Sequence, residues 1–149
     1  IGSWTHADLQ TDVSDVLRGF NLFEKELISR NCVVKGIRKN RNILDAFFTF
    51  SMGVYSSILL STWMYDINAQ PKIFHREFLK EFKNPPLDFS LDLYLVHFFK
   101  SNKIAVKTFP VIFNKRLYGE AKGGGSFKGK YKLILRTLRY IRKLKKNLR

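Results

Sequence analysis

His6, Asp8, Gln10 and Asp12 fall within one short turn, where a strand ending near Thr5 meets a helix. Carboxylates at the carboxyl end of a strand in an open α/β sheet can hold Mg²⁺ or Mn²⁺ through oxygen and leave room for a substrate diphosphate. The same residues have a plainer use, with Asp12 capping the helix, Asp8 forming the turn and His6 an ordinary imidazole. Arg38 and Arg41, and later Arg116 with Lys122, have head groups suited to phosphate oxygens. The alternative for them is a solvated surface run. A carboxylate turn with two such clusters suits a diphosphate donor and a phosphate acceptor. The chain has no Cys/His metal box, no Gly-Lys-Ser phosphate loop and no nucleophile elbow, so P-loop and serine-hydrolase chemistry fall away.

The elements that must position these groups can be read from periodicity. Ile1 to Thr5 reads as the end of a strand. Val13, Val16, Leu17, Phe20, Phe23 and Leu27 keep helical spacing, with Thr11 or Asp12 placed to cap the first turn. Cys32 to Gly36 is β-branched and reads as a strand, and Arg30, Lys35, Arg38, Lys39 and Arg41 gather around Gly36. Residues 46–65 carry no charge and are long enough to span a bilayer on paper. The hydroxyls of Thr49, Ser51, Ser56, Ser57, Ser61 and Thr62 favour instead a helix buried in a core. Residues 65–71 read as a turn, 73–82 as a short amphipathic helix ended by Pro85-Pro86, and 91–99 as an apolar helix. Ile104 to Phe113 reads as a strand in which Pro110 points to an edge or a bulge. Helices alternating with two or three short strands argue for an α/β fold, with few strands for such a sheet.

The chain has 149 residues and a net charge of +15, from 27 Lys plus Arg against 12 Asp plus Glu. That length allows one domain with a real core, or a portion of a larger one. The 45% apolar and 15% aromatic content excludes a disordered basic tail as the whole answer. Cys32, the single cysteine, excludes a disulfide scaffold. The charge is uneven: residues 126–149 hold ten cations and no acid, leaving a mildly basic body. Within that tail Tyr131, Ile134, Leu138, Ile141 and Leu144 form one helical stripe, with the cations largely off it. Such a helix can lie in an anionic membrane interface, or pack its stripe on the domain. Nucleic acid is not the expected partner, because the excess charge is confined to the tail.

Taken in order, these segments resemble family 2 glycosyltransferases, closest to the polyprenyl-phosphate (dolichol-phosphate mannose synthase-like) branch. Trp4-Thr5-His6-Ala7-Asp8-Leu9-Gln10 looks like that family's Asp-x-Asp-x-Gln metal motif, with His6 standing at its first aspartate. Lys35-Gly36-Ile37-Arg38 and Arg41 resemble its Gly-Ser-Arg segment and following arginine. Asp66 to Phe74, with Gln70, Lys72 and Arg76, is similar to its Asp-x-x-x-Gly-x-x-x-x-x-Arg stretch. Phe109-Pro110-Val111-Ile112-Phe113 with Arg116, Gly119, Ala121 and Lys122 looks like its Pro-Val-x-Phe-x-x-Arg-x-x-Gly-x-Ser-Lys signature, Ala121 replacing the serine.

The resemblance implies an incomplete GT-A (nucleotide-diphospho-sugar transferase) fold that lacks its N-terminal nucleotide-binding half. It divides the chain into a transferase portion at residues 1–122, a glycine linker at 123–125 and a basic amphipathic helix at 126–149. The implied activity is transfer of a sugar from a nucleotide-diphospho-sugar to a polyprenyl phosphate or sugar acceptor, with inversion. Asp8 and Gln10, with His6, would hold Mg²⁺ or Mn²⁺, and Arg38, Arg41, Arg116 and Lys122 would bind the acceptor phosphate. A hydroxyl acceptor would need a base, for which Asp88 and Asp92 are candidates and Asp92 is the better positional match. The resemblance further implies a cytoplasmic enzyme peripheral on the inner face of a membrane, inactive when reduced to these residues. The competing classes are a non-enzymatic basic module that binds anionic membrane or nucleic acid, and an inactive transferase.

Overall fold

The computed structural model describes residues 1–5, 11–88, 90–113 and 127–147. Its frame is strand β2 (Cys32–Lys39), which pairs in parallel with β4 (Ala105–Ile112) and antiparallel with β3 (Lys72–Phe74). β1 (Gly2–Trp4) adds antiparallel to β3, giving a four-stranded mixed sheet of order β1-β3-β2-β4. The described helices are α1 (Ser14–Leu22), α2 (Glu24–Ile28), α3 (Ile43–Leu60), α4 (Leu91–Ser101), α5 (Phe127–Asn147) and a 3₁₀ turn at Arg76–Glu81. The α/β class expected from the sequence therefore holds, with one strand more than the sequence displays. β4 lies at the sheet edge, which accommodates Pro110.

Side chains alternate across the strands, so the two faces acquire separate cores. Cys32, Val34, Ile73, Phe109 and Val111 meet Leu27, Val16, Phe20 and Phe23 on the α1–α2 face. Val33, Phe74 and Val106 meet α4, the 60–67 segment and α5 on the other. Phe74, Phe78, Phe82, Tyr94, Phe98 and Phe99 form an edge-to-face cluster there, with the Phe82 and Phe98 ring centroids 4.9 Å apart.

Three expectations give way. The residues 73–82 do not form one helix: Lys72–Phe74 joins the sheet and only the following turn is helical. The first amphipathic run breaks at Phe23 into α1 and α2, and Asp12 accepts a hydrogen bond from the Ser14 amide at 2.8 Å. The uncharged helix is not buried. α3 turns Gly53, Ser56, Ser57 and Leu60 inward and leaves Ile43, Leu44, Phe47, Phe50, Tyr55 and Ile58 exposed. It ends at Ser61 in a left-handed cap, and no helix among the described residues is long and apolar enough to cross a membrane.

α5 extends the core of the body. Ile141 and Leu144 are buried in it and Ile134 and Leu138 half-buried, so these positions of the stripe pack on protein while Tyr131 stays exposed. The glycine linker lies outside the described residues.

Where β2 meets the loop before β3, the backbones press together, and the Gly36 amide donates to the Pro71 carbonyl at 3.0 Å. A β-carbon on Gly36 would collide with the Gln70 carbonyl and crowd Val111. Gly36→Ala should therefore lower the unfolding free energy by about 2 kcal/mol, read from urea denaturation; an unchanged midpoint would mean that the loop yields freely.

Candidate functional site

β2 and β4 run parallel, and ligand sites in such sheets gather at the carboxyl ends of the strands. Arg38 stands at that end of β2. Its Nε donates to Asp66 Oδ1 at 2.9 Å, its Nη2 pairs with the same oxygen, and its backbone amide donates to Oδ2 at 3.0 Å. Asp66 adopts a left-handed backbone at φ 44°, a conformation aspartate accepts more readily than most residues. Arg41 approaches the same carboxylate at 3.9 Å. It also donates to Thr49 Oγ1 at 2.8 Å and to the Asp45 carbonyl at 3.1 Å, anchoring the first turn of α3. Both guanidinium groups lie over the Phe113 ring, at 5.2 and 5.9 Å.

A second pair lies beside the first, on the α4 face of the sheet. Lys35 and Lys72 are register partners across β2 and β3, and both are buried. Lys35 Nζ donates to the carbonyls of Tyr65 (3.0 Å) and Asp66 (2.9 Å). Lys72 donates to the Ala69 carbonyl at 3.0 Å and forms an ion pair with Asp92 at the start of α4. Gln70 Nε2 reaches both Asp92 oxygens, at 3.3 and 3.4 Å. A cavity of about 80 Å³ opens beside Lys35, between Trp63, Tyr65, Lys100 and Thr108.

Among the described residues Lys35, Arg38, Arg41 and Lys72 thus gather around two buried carboxylates, Asp66 and Asp92, and burial acts against the charge of Lys35, Arg41 and Lys72. Burial pulls Lys35 down to about 7; Asp66 opposes the shift, while Lys72 and Arg38 add to it. Burial also lowers Lys72 against the pull of Asp92, and lowers Arg41 with Arg38 reinforcing it. Burial alone would raise Asp66, yet its hydrogen bonds and proximity to Arg38 hold it below the usual carboxylate range.

Of the residues singled out from the sequence, Arg38, Arg41 and Asp92 belong to this cluster. Arg38 and Arg41 are already engaged with Asp66, and Asp92 is committed to Lys72 and Gln70. Asp88 lies apart, half-exposed and accepting from the Ser90 amide at 2.9 Å. His6, Asp8, Gln10, Arg116 and Lys122 lie outside the described residues. Among the described residues no three His, Cys, Asp or Glu side chains are grouped to hold a metal ion. Sequence reading placed Lys35 in a surface charge run and Asp66 in a turn. The local signal for Lys35 was its alternation with Val33 and Ile37 in a β-branched strand; Asp66 was singled out only by the family resemblance, at the head of the Asp66–Phe74 stretch.

The chain matches no protein-family model, no curated protein and no solved structure.

Two stability measurements follow from this geometry. Lys35 keeps its proton to about pH 7 when folded but to about 10.5 when unfolded, so the unfolded chain binds more protons between these values. Stability should rise with pH across that window and flatten in Lys35→Met, read from urea midpoints. Equal slopes would place Lys35 in water. Lys72→Met, which strands Asp92, should cost about 3–5 kcal/mol, and adding Asp92→Leu should restore most of it. A double variant no better than the single one would show that the two side chains act separately.

Proposed function

We propose that this cluster is the acceptor-phosphate site of a glycosyltransferase that moves a sugar from a nucleotide-diphospho-sugar to a lipid phosphate such as a polyprenyl phosphate. One observation carries the reading. Lys35-Gly36-Ile37-Arg38 with Arg41, the Asp66–Lys72 stretch and Asp92 are separate in sequence, yet they meet in one buried network with more cations than carboxylates. All of them are positions that the family resemblance singles out. A bound phosphate would add negative charge, and it would draw on the guanidinium donors of Arg38 and Arg41 beyond those given to Asp66, Thr49 and the Asp45 carbonyl.

In this reading a phosphate oxygen attacks the anomeric carbon as the bond to the nucleotide diphosphate breaks on the opposite face, inverting the configuration. A phosphate monoester carries a charge of about −1.5 to −2 at neutral pH and needs no base. The position of Asp92 agrees with this: both its oxygens are engaged, and service as a base for a hydroxyl acceptor would require it to leave Lys72. Asp92 is then a positioning residue that fixes Lys72 and Gln70 beneath the site. The Mg²⁺ or Mn²⁺ implied by the resemblance, which would neutralise the donor diphosphate, would fall to Asp8, Gln10 and His6. No described residue duplicates that donor set.

The test compares a short-chain polyprenyl phosphate with the corresponding alcohol by titration calorimetry. The phosphate should bind, and Arg38→Lys, which keeps the charge but loses the fork, should weaken it by about tenfold. Equal affinity for the alcohol, or no effect of the substitution, would overturn the site. In a sugar-transfer assay, metal-dependent activity should be lost in Asp8→Ala; full activity there would remove the metal assignment.

A further inference from the structure

We infer that α3 is an interfacial membrane helix, docking its outer face into the surface of an anionic bilayer without crossing it. The helix is built inside out relative to one that covers a soluble core. Gly53, Ser56 and Ser57 face the protein: Ser57 Oγ donates to the Gly53 carbonyl at 2.6 Å and accepts from the Met64 amide at 2.7 Å. A β-carbon on Gly53 would sit 2.9 Å from the Met64 carbonyl oxygen, so this face is fitted tightly to the chain beneath it. Six large apolar residues face outward, Ile43 (85% exposed), Leu44, Phe47 (64%), Phe50, Tyr55 and Ile58 (71%), while Leu59 and Leu60 pack on the core. At 3.6 residues per turn these positions fall on one side of the helix. Trp63 and Tyr65, just beyond its end, are exposed as well, and such aromatics favour the headgroup level of a bilayer. A contiguous apolar surface of this kind marks an interaction site, because scattered single residues would not align.

Charge selects the occupant. α5 packs beside α3 and exposes Arg139, Arg142, Lys143, Lys145 and Lys146, with no acidic residue from 126 to 149. Asp45 is the single acid between Lys39 and Tyr65. An apolar helix flanked by cations is complementary to acyl chains beneath anionic headgroups. A second copy joined through α3 would instead bring two cationic helices together. This assignment rests on the exposed face and its charge, and stands whether or not the neighbouring site transfers sugar.

The test is cosedimentation of the chain with vesicles of phosphatidylcholine alone or mixed with phosphatidylglycerol. The chain should prefer the mixed vesicles, and part of its binding should survive high salt. Phe47→Ser combined with Ile58→Ser, both at exposed positions, should weaken partitioning by at least about tenfold with an unchanged circular dichroism spectrum. Leu87→Ser, exposed elsewhere, should leave it unchanged. Absence of vesicle binding, or a double variant that binds like the parent, would overturn the proposal. So would a dimer in vesicle-free solution that the double variant abolishes, since α3 would then face a second copy.

Discussion

The carboxylate of Asp66 is the constraint on which the rest of the site depends. It is nearly inaccessible to water, which alone would drive it towards the neutral acid. Its ionisation is held by Arg38, through both guanidinium and backbone contacts, and by the more distant Arg41. One side chain thereby joins the end of β2, the start of α3 and the loop that leads into β3. Lys35 fastens the same loop from below by its bonds to the carbonyls of Tyr65 and Asp66. Loss of Asp66 would leave the buried Lys35 and the half-buried Arg38 and Arg41 without their shared carboxylate, a burden that a marginally stable domain of this size does not carry easily.

The second pair, Lys72 with Asp92, solves the same problem from the opposite side of β3. A buried ion pair of this kind adds little net stability compared with a well-packed apolar pair. Its value lies in placement, because it fixes the start of α4 over the sheet and aligns Gln70. The two pairs are coupled through Lys35 and Lys72, which oppose each other across the β2–β3 register. Burial is the main reason the Lys35 ammonium yields its proton near neutrality, and the neighbouring Lys72 and Arg38 add to it against the pull of Asp66.

Much of the fold was legible because periodicity reports burial on one side of an element. α4, β2 and β4 emerged near their observed bounds, and Pro110 identified the edge strand. α3 misled because hydropathy counts how apolar a segment is and not which face carries the bulk. Six hydroxyls suggested a buried helix, and those of Ser56 and Ser57 do face the protein while the phenylalanines Phe47 and Phe50 face out. β3 was hidden because three residues are too few to show alternation, and Phe78 and Phe82 imitate a helical continuation. Within the site, Arg38, Arg41 and Asp92 were found through motif order. Lys35 and Lys72 stood within the motif stretches, but their burial was not foreseen because lysine is so rarely buried. The tail stripe was read correctly as a stripe, but its use is decided by volume: Ile141 and Leu144 complete the core above α4.

The site and the helix face meet at Arg41. Its guanidinium touches Asp66 on one side and, on the other, binds Thr49 and the Asp45 carbonyl within the opening turns of α3. The helix that presents its apolar face outward therefore begins at the phosphate-type cluster, and its orientation is tied to the charge state there. An acceptor with a phosphate head and a hydrocarbon tail has that same polarity. With its head at Arg38 and Arg41, its tail would leave the protein along a surface already suited to acyl chains, and no deep pocket would be required. The cavity beside Lys35 has a volume of about 80 Å³, far below that of sites enclosing a whole ligand. In this geometry the protein need bury only the charged end, because the bilayer would act as solvent for the rest.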